Sequence, residues 1–245
     1  MKQLKMFSNP YYLIAIFVVA LLELILLIRH DIFHSILING GILKPKIEER
    51  PDYHCLLGWE NTLKKMNYKA DVCFLGNSLT FHSDFQNDYP ELKIINLGYS
   101  GDGLKGMIAR HKQVSAVHPD KVFVMAGCND IGKKWISMTK FKDLYNQLID
   151  SLQLSTPGAT IYLQSILPVN HELRPRLYPT SLINEANSII EEIAIQRSLT
   201  YIDLFSLYAD ENYELDKRLT TDGQHLKPSA YNIWSEAIGS YLLNN

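Results

Sequence analysis

The chain has 245 residues, 47% of them hydrophobic and 20% charged, enough for one good-sized globular core with a little to spare. A formal net charge of −2, with Lys and Arg scattered rather than clustered, argues against nucleic acid as a partner. Three cysteines, Cys55, Cys73 and Cys128, form no C-x-x-C pair and give no disulfide framework. The histidines show no paired spacing with them, so no structural zinc or other metal site is expected.

The amino-terminal part differs from the rest. Residues 11–28 read YYLIAIFVVALLELILLI, with Glu23 as the one charge. At about 1.5 Å per residue in a helix, such a run approaches the thickness of a bilayer core. It is apolar nearly all round, whereas a buried amphipathic helix would show a polar face. Lys2 and Lys5 precede it, it is long for a signal-peptide core, and no A-x-A cleavage signal follows. Residues 1–30 are therefore expected to be an uncleaved single-pass membrane anchor. Basic residues lie on both sides of the run, so charge does not set its orientation. A short tail before it and a large domain after it favour an extracytoplasmic domain. Residues 31–66 read as a juxtamembrane linker, with LGWENTLKKM as a short lead-in helix, and residues 67–245 as the globular domain.

From Asp71 onward, short apolar runs alternate with helical patterns. The runs are VCFLG, KIINLG, KVFVMAG, ATIYLQSILP and TYIDL. Lacking polar alternation, they suggest strands buried on both faces of a parallel sheet. In FKDLYNQLIDSL the apolar residues Phe141, Leu144, Tyr145, Leu148 and Leu152 make one helical stripe. SLINEANSIIEEIAIQ aligns Ile183, Ala186, Ile190 and Ile193, and SAYNIWSEAIGSYLL aligns Tyr231, Trp234, Ile238 and Tyr241. Pro228 and Ser229 mark the start of that last helix. Strands alternating with helices predict a three-layer α/β sandwich with a five-stranded parallel sheet and right-handed crossovers.

Ligand sites in such sheets form beyond the carboxyl ends of the strands. Gly76-Asn77-Ser78-Leu79-Thr80 follows the first run, and Gly98 closes the second. Gly127-Cys128-Asn129-Asp130 follows the third, and Asp222-Gly223-Gln224-His225 stands beyond the fifth. Each has a plain reading taken singly. Ser78 would cap a helix, Asn129-Asp130 and Asp222-Gly223 would make turns, and His225 would be a surface histidine.

The ordered set resembles the SGNH hydrolases, also called the GDSL esterase and lipase family, over roughly residues 70–243. That resemblance implies a flavodoxin-like sandwich. It implies catalytic Ser78, Asp222 and His225, and an oxyanion hole from Ser78, Gly98 and Asn129. It implies neither metal nor cofactor. The chemistry is coherent by itself. A serine hydroxyl needs a base, an imidazole serves near neutral pH, and a carboxylate three residues before it on the same turn orients the ring. Backbone N–H groups and an amide would bind the developing oxyanion, and a glycine at position 98 would let backbone approach the substrate. The family's first block usually reads Gly-Asp-Ser; Asn77 replaces that aspartate here, keeping shape without charge. Cys128 has no adjacent histidine or strong cation in sequence and is not expected to be catalytic.

QSILPVN, residues 164–170, is similar to the subgroup of platelet-activating-factor acetylhydrolase-like esterases and sialate and carbohydrate O-acetylesterases. The following HELRPRLYP reads as a solvated loop, with a lip over the site as the alternative. The resemblance thus implies a serine esterase cleaving short acyl, mainly acetyl, esters of a carbohydrate or lipid. An O-acyltransferase onto an envelope polysaccharide would use the same residues. A silent tethered binding module would have no use for a base beside the serine.

Overall fold

Each of the five apolar runs contributes a strand of one parallel sheet. The strands are β1 (Val72–Gly76), β2 (Ile94–Gly98), β3 (Lys121–Met125), β4 (Thr160–Gln164) and β5 (Thr200–Ile202), in spatial order β2-β1-β3-β4-β5. The computed structural model describes residues 51–131 and 136–243. The apolar run at 11–28, expected as an anchor, lies outside the described residues. Among the described residues no helix is long and apolar enough to cross a membrane. Within the stretch expected to be linker, α1 spans Pro51–Met66 and is longer than the lead-in helix the sequence suggests.

Successive strand side chains point to opposite faces, and both faces are buried. On one face Cys73, Leu75, Val122 and Val124 pack with Leu63 of α1 and with the apolar stripes of two long helices. These helices are α6 (Met138–Ser155) and α7 (Thr180–Gln196). The shorter α4 (Leu104–Ala109) and α5 (Lys112–Ser115) add Leu104, Met107 and Val114 to this layer. On the other face Val72, Phe74, Phe123, Met125 and Tyr162 meet Leu79 of α2 (Ser78–Phe81) and Phe85 of α3 (Phe85–Asp88). There Tyr208 comes from α8 (Phe205–Tyr208), and Trp234, Ile238 and Leu242 from α9 (Tyr231–Leu243). Phe123 stacks between Phe74 and Tyr162, with ring centroids at 5.0 and 4.5 Å. Burial on both faces is why the strands read as unbroken apolar runs.

The fourth run ends as a strand sooner than the sequence suggests. β5 ends at Ile202, whose O accepts the last bond of this ladder from Ser165 N at 3.0 Å. Past that bond, side chains bridge the backbone on both sides. Asn187 of α7 accepts from Ile166 N at 2.8 Å and donates to Ile166 O at 3.0 Å, while Ser165 Oγ accepts from Leu204 N and Phe205 N. Ser137 accepts from Lys140 N at 3.1 Å and starts α6 three residues ahead of the predicted stripe. Pro228 opens a short 3₁₀ turn, Pro228–Ala230, that leads into α9.

The strand order places the site. β1 lies between β2 and β3, so the chain crosses from β1 to one side first and to the other afterwards. Such a reversal opens a crevice at the carboxyl end of the strand where it occurs. Gly76 ends β1 there, and Ser78 follows two residues on.

Candidate active site

At the end of β1, Asn77 takes an extended conformation, and its Oδ1 accepts from Leu79 N at 2.9 Å. Asn77 is thus the N-cap of α2, and the capping role open to Ser78 in the sequence is already filled. Ser78 is the first helical residue, and its Oγ lies 3.1 Å from His225 Nε2. The other end of the Asn77 amide donates to Cys128 Sγ at 3.1 Å. A buried side chain therefore joins the serine block to the block after β3, and Cys128 serves as an acceptor within it.

Asp222 and His225 share one closed turn. Thr220 Oγ1 accepts from Gly223 N at 3.0 Å and donates to His225 O at 2.7 Å, and Thr220 and Leu226 form an antiparallel bridge. Gly223 has φ +80°, a backbone conformation that favours glycine, and a Cβ there would stand 2.7 Å from Asn170 O. Within the turn, Asp222 Oδ2 meets His225 Nδ1 at 2.7 Å, and Oδ1 accepts the backbone N–H of His225 at 2.7 Å and of Gln224 at 3.0 Å. Partial burial works against ionisation of Asp222. The hydrogen bonds from the His225 ring and from the two N–H groups outweigh it and hold the carboxyl at about 2. The carboxylate is ionised at neutral pH and fixes Nε2 toward Ser78.

The oxyanion side differs in one respect from the sequence reading. The Gly98 N–H donates to Asn96 Oδ1 at 2.8 Å. A Cβ at Gly98 would stand 2.2 Å from Phe81 N, so glycine is required here for α2 to pack on β2. Asn129 Nδ2 donates to Asp102 O at 2.7 Å. An amide has two N–H groups, and this bond fixes the rotamer while engaging one of them. The neighbouring Asp130 accepts from Leu104 N at 3.0 Å, at the start of α4.

Two arginines escaped the sequence reading. Arg110 Nε donates to Asp102 Oδ2 at 2.7 Å with both side chains fully buried, and its Nη2 donates to Gly76 O at 3.1 Å. It therefore connects the end of β1 to the loop that holds Asn129. Arg174 lies in the stretch read as a solvated loop, yet its Nη1 donates to Gln224 Oε1 at 2.8 Å and lies 3.5 Å from Asp222 Oδ2. Asn170 clamps that stretch to the site. Its N–H donates to Gly223 O at 2.8 Å and its Nδ2 to Leu215 O at 2.9 Å.

A hydroxyl, an imidazole and a carboxylate in hydrogen-bonded series, at the switch point of a parallel sheet, are the parts with which hydrolases activate a serine. Residues 74–233 match the GDSL-like Lipase/Acylhydrolase family. The chain belongs to that family and is a serine esterase of it. No curated protein matches the sequence. Among solved structures, the chain is similar to a Streptococcus pneumoniae protein named for platelet activating factor. They share 24% identity over 76% of this chain and 91% of that one, with a TM-score of 0.66. A GDSL-like lipase from Bacteroides thetaiotaomicron shares 22% identity over 78% and 96%, with a TM-score of 0.60. A mutant of an acetyl-xylooligosaccharide esterase from Geobacillus shares 21% over 74% and 97%, with a TM-score of 0.56. At these identities the likeness is one of fold.

Proposed function

We propose that Ser78 is the nucleophile of an esterase that removes a short acyl group, acetyl foremost, from an alcohol of a carbohydrate or lipid. The observation that carries this reading is the unbroken series from Ser78 Oγ through His225 to Asp222. His225 Nε2 takes the Oγ proton as Oγ attacks the ester carbonyl. Asp222 stabilises the imidazolium that forms. The imidazolium then gives its proton to the departing alkoxy oxygen, leaving an acyl-serine. Water, deprotonated by the same nitrogen, hydrolyses the acyl-serine and regenerates the hydroxyl. The negative charge on the carbonyl oxygen meets the Ser78 N–H, which has no intrahelical partner at the first position of α2, and the second N–H of Asn129. With its N–H bonded to Asn96, Gly98 serves this site through packing.

The same reading tethers the enzyme to a membrane through residues 11–28, with the catalytic domain on the extracytoplasmic side. Its support is an apolar run of 18 residues holding one charge, Glu23. Retention in the membrane fraction after an alkaline wash, and digestion of the domain by protease added outside sealed cells, are the expected results.

Hydrolysis of p-nitrophenyl acetate by the full chain tests the chemistry. Activity is expected in the parent, with a loss of about three orders of magnitude or more in Ser78→Ala and in His225→Ala. Variants as active as the parent would remove Ser78 from the nucleophile's role.

A further inference from the structure

The nucleophile's own helix carries two side chains that the acyl chemistry leaves unused. Residues three and four apart on a helical turn share a face, so Phe81 and the C-cap residue His82 flank Ser78. Leu79 and Thr80 are buried against the sheet, whereas Phe81 is 52% exposed and His82 is exposed as well. The Phe81 and His82 rings stand edge to face at 5.1 Å, and His82 stands edge to face with His225 at 6.2 Å. The platform has a fixed base, because the Phe81 backbone rests on Gly98.

This position corresponds to one half of the substrate. His225 hands its proton to the departing alcohol, so the alcohol sits beside the imidazole. A group next to His225 and open to solvent therefore meets the alcohol half of the ester rather than the acyl half. Polar groups stand on another side of this imidazole: Asp222 on its Nδ1, with the Gln224 amide and the Arg174 guanidinium beyond. A bare aromatic face together with hydrogen-bonding groups matches a pyranose ring, which has an apolar C–H face and a rim of hydroxyls. A lipid alcohol would call for continuous apolar lining instead.

We infer that Phe81 and His82 form the binding site for the alcohol half of the ester, and that this half is a sugar ring. The inference rests on the esterase reading above. It is tested by comparing kcat/KM for a mono-O-acetylated methyl xylopyranoside with kcat/KM for ethyl acetate, whose alcohol has no ring to lie on an aromatic face. The full chain, Phe81→Ala, Phe81→Trp and His82→Ala are assayed side by side, with thermal midpoints as the check on folding. The sugar-to-ethyl ratio is expected to fall about tenfold or more in Phe81→Ala, to fall in His82→Ala, and to recover in Phe81→Trp. An unchanged ratio in a folded Phe81→Ala overturns the inference, and should that variant not fold, His82→Ala decides by the same ratio. A parent that cleaves ethyl acetate but not the sugar ester also overturns it and leaves the esterase reading standing. A parent that cleaves neither removes both.

Discussion

Arg174 Nη1 lies 3.5 Å from Asp222 Oδ2, the same carboxylate oxygen that His225 Nδ1 meets at 2.7 Å. The guanidinium and the imidazole thus share one anion. Converting Arg174 to Ala leaves the whole carboxylate to the imidazolium, which is stabilised. The acid limb of the kcat/KM profile is expected to move to higher pH. Both partners of the pair are about two-fifths exposed, so solvent screening keeps the move small. Arg174→Lys keeps a cation and is expected to shift less. The His82 ring, the other titratable neighbour of His225, stays in place in both variants. A pH profile of Arg174→Ala that superimposes on the parent's would mean the arginine acts on the loop alone.

Asp222 also links pH to stability. Its folded value of about 2 lies below the ordinary 3.8. A depressed carboxylate stabilises the fold fully above the ordinary value and loses that contribution as pH falls through the folded one. The window is therefore about pH 4 down to about 2. With the side chain 43% exposed, solvent limits the contribution to about 1 kcal/mol at most. Urea midpoints of the parent and of Asp222→Asn are expected to differ at pH 6 and to converge toward pH 2. A constant gap would show that Asp222 contributes through shape and not through charge.

Asn77 makes two buried hydrogen bonds, one as the cap of α2 and one to Cys128 Sγ. Asn77→Ala removes the cap and is expected to cost about 1–2 kcal/mol, read from the denaturant midpoint. Asn77→Asp keeps the acceptor and places a negative charge at the helix start, where the dipole favours it. It cannot donate to the sulfur. The expected order of activity toward p-nitrophenyl acetate is parent, then Asn77→Asp, then Asn77→Ala. An Ala variant as active as the parent would show that Ser78 holds its position without the cap.

What the sequence reveals here depends on how local the controlling interactions are. The strands are legible because burial on both faces writes itself as an unbroken apolar run. Asp222 and His225 are legible because their hydrogen bonds span three residues. The Ser78 cap is a question the sequence leaves open, since serine and asparagine are both good caps and only coordinates show which one bonds Leu79 N. Gly98 is a sharper case. A glycine after a strand signals that something comes close, and here it is the Phe81 backbone, 17 residues away in sequence. Arg174 reaches Asp222 across 48 positions, and no spacing rule links a polar loop to a particular carboxylate. β4 is over-read because LQSILP is as apolar as a strand, although its ladder to β5 ends at Ser165 and the Asn187 side chain satisfies the Ile166 backbone beyond it.

The Arg110–Asp102 pair carries the largest expected effect. Both side chains are fully buried, and the pair joins Gly76 O, two residues before Ser78, to the loop whose Asp102 carbonyl holds Asn129. Removing one partner leaves a charge in the interior with its counterion gone, which typically costs about 3–5 kcal/mol. Arg110→Met and Asp102→Asn are each expected to lower the unfolding free energy by about 3–5 kcal/mol, read from denaturant titrations. The double variant Arg110→Met with Asp102→Leu removes both charges and is expected to be more stable than either single one. Stability and activity should then separate. In the double variant neither Gly76 O nor the Asp102 loop keeps its tie to the guanidinium, so kcat toward p-nitrophenyl acetate is expected to stay low in a folded protein. Recovery of full activity along with stability would show that the pair serves the core alone. Low kcat in a stable double variant would assign it the alignment of Ser78 with Asn129.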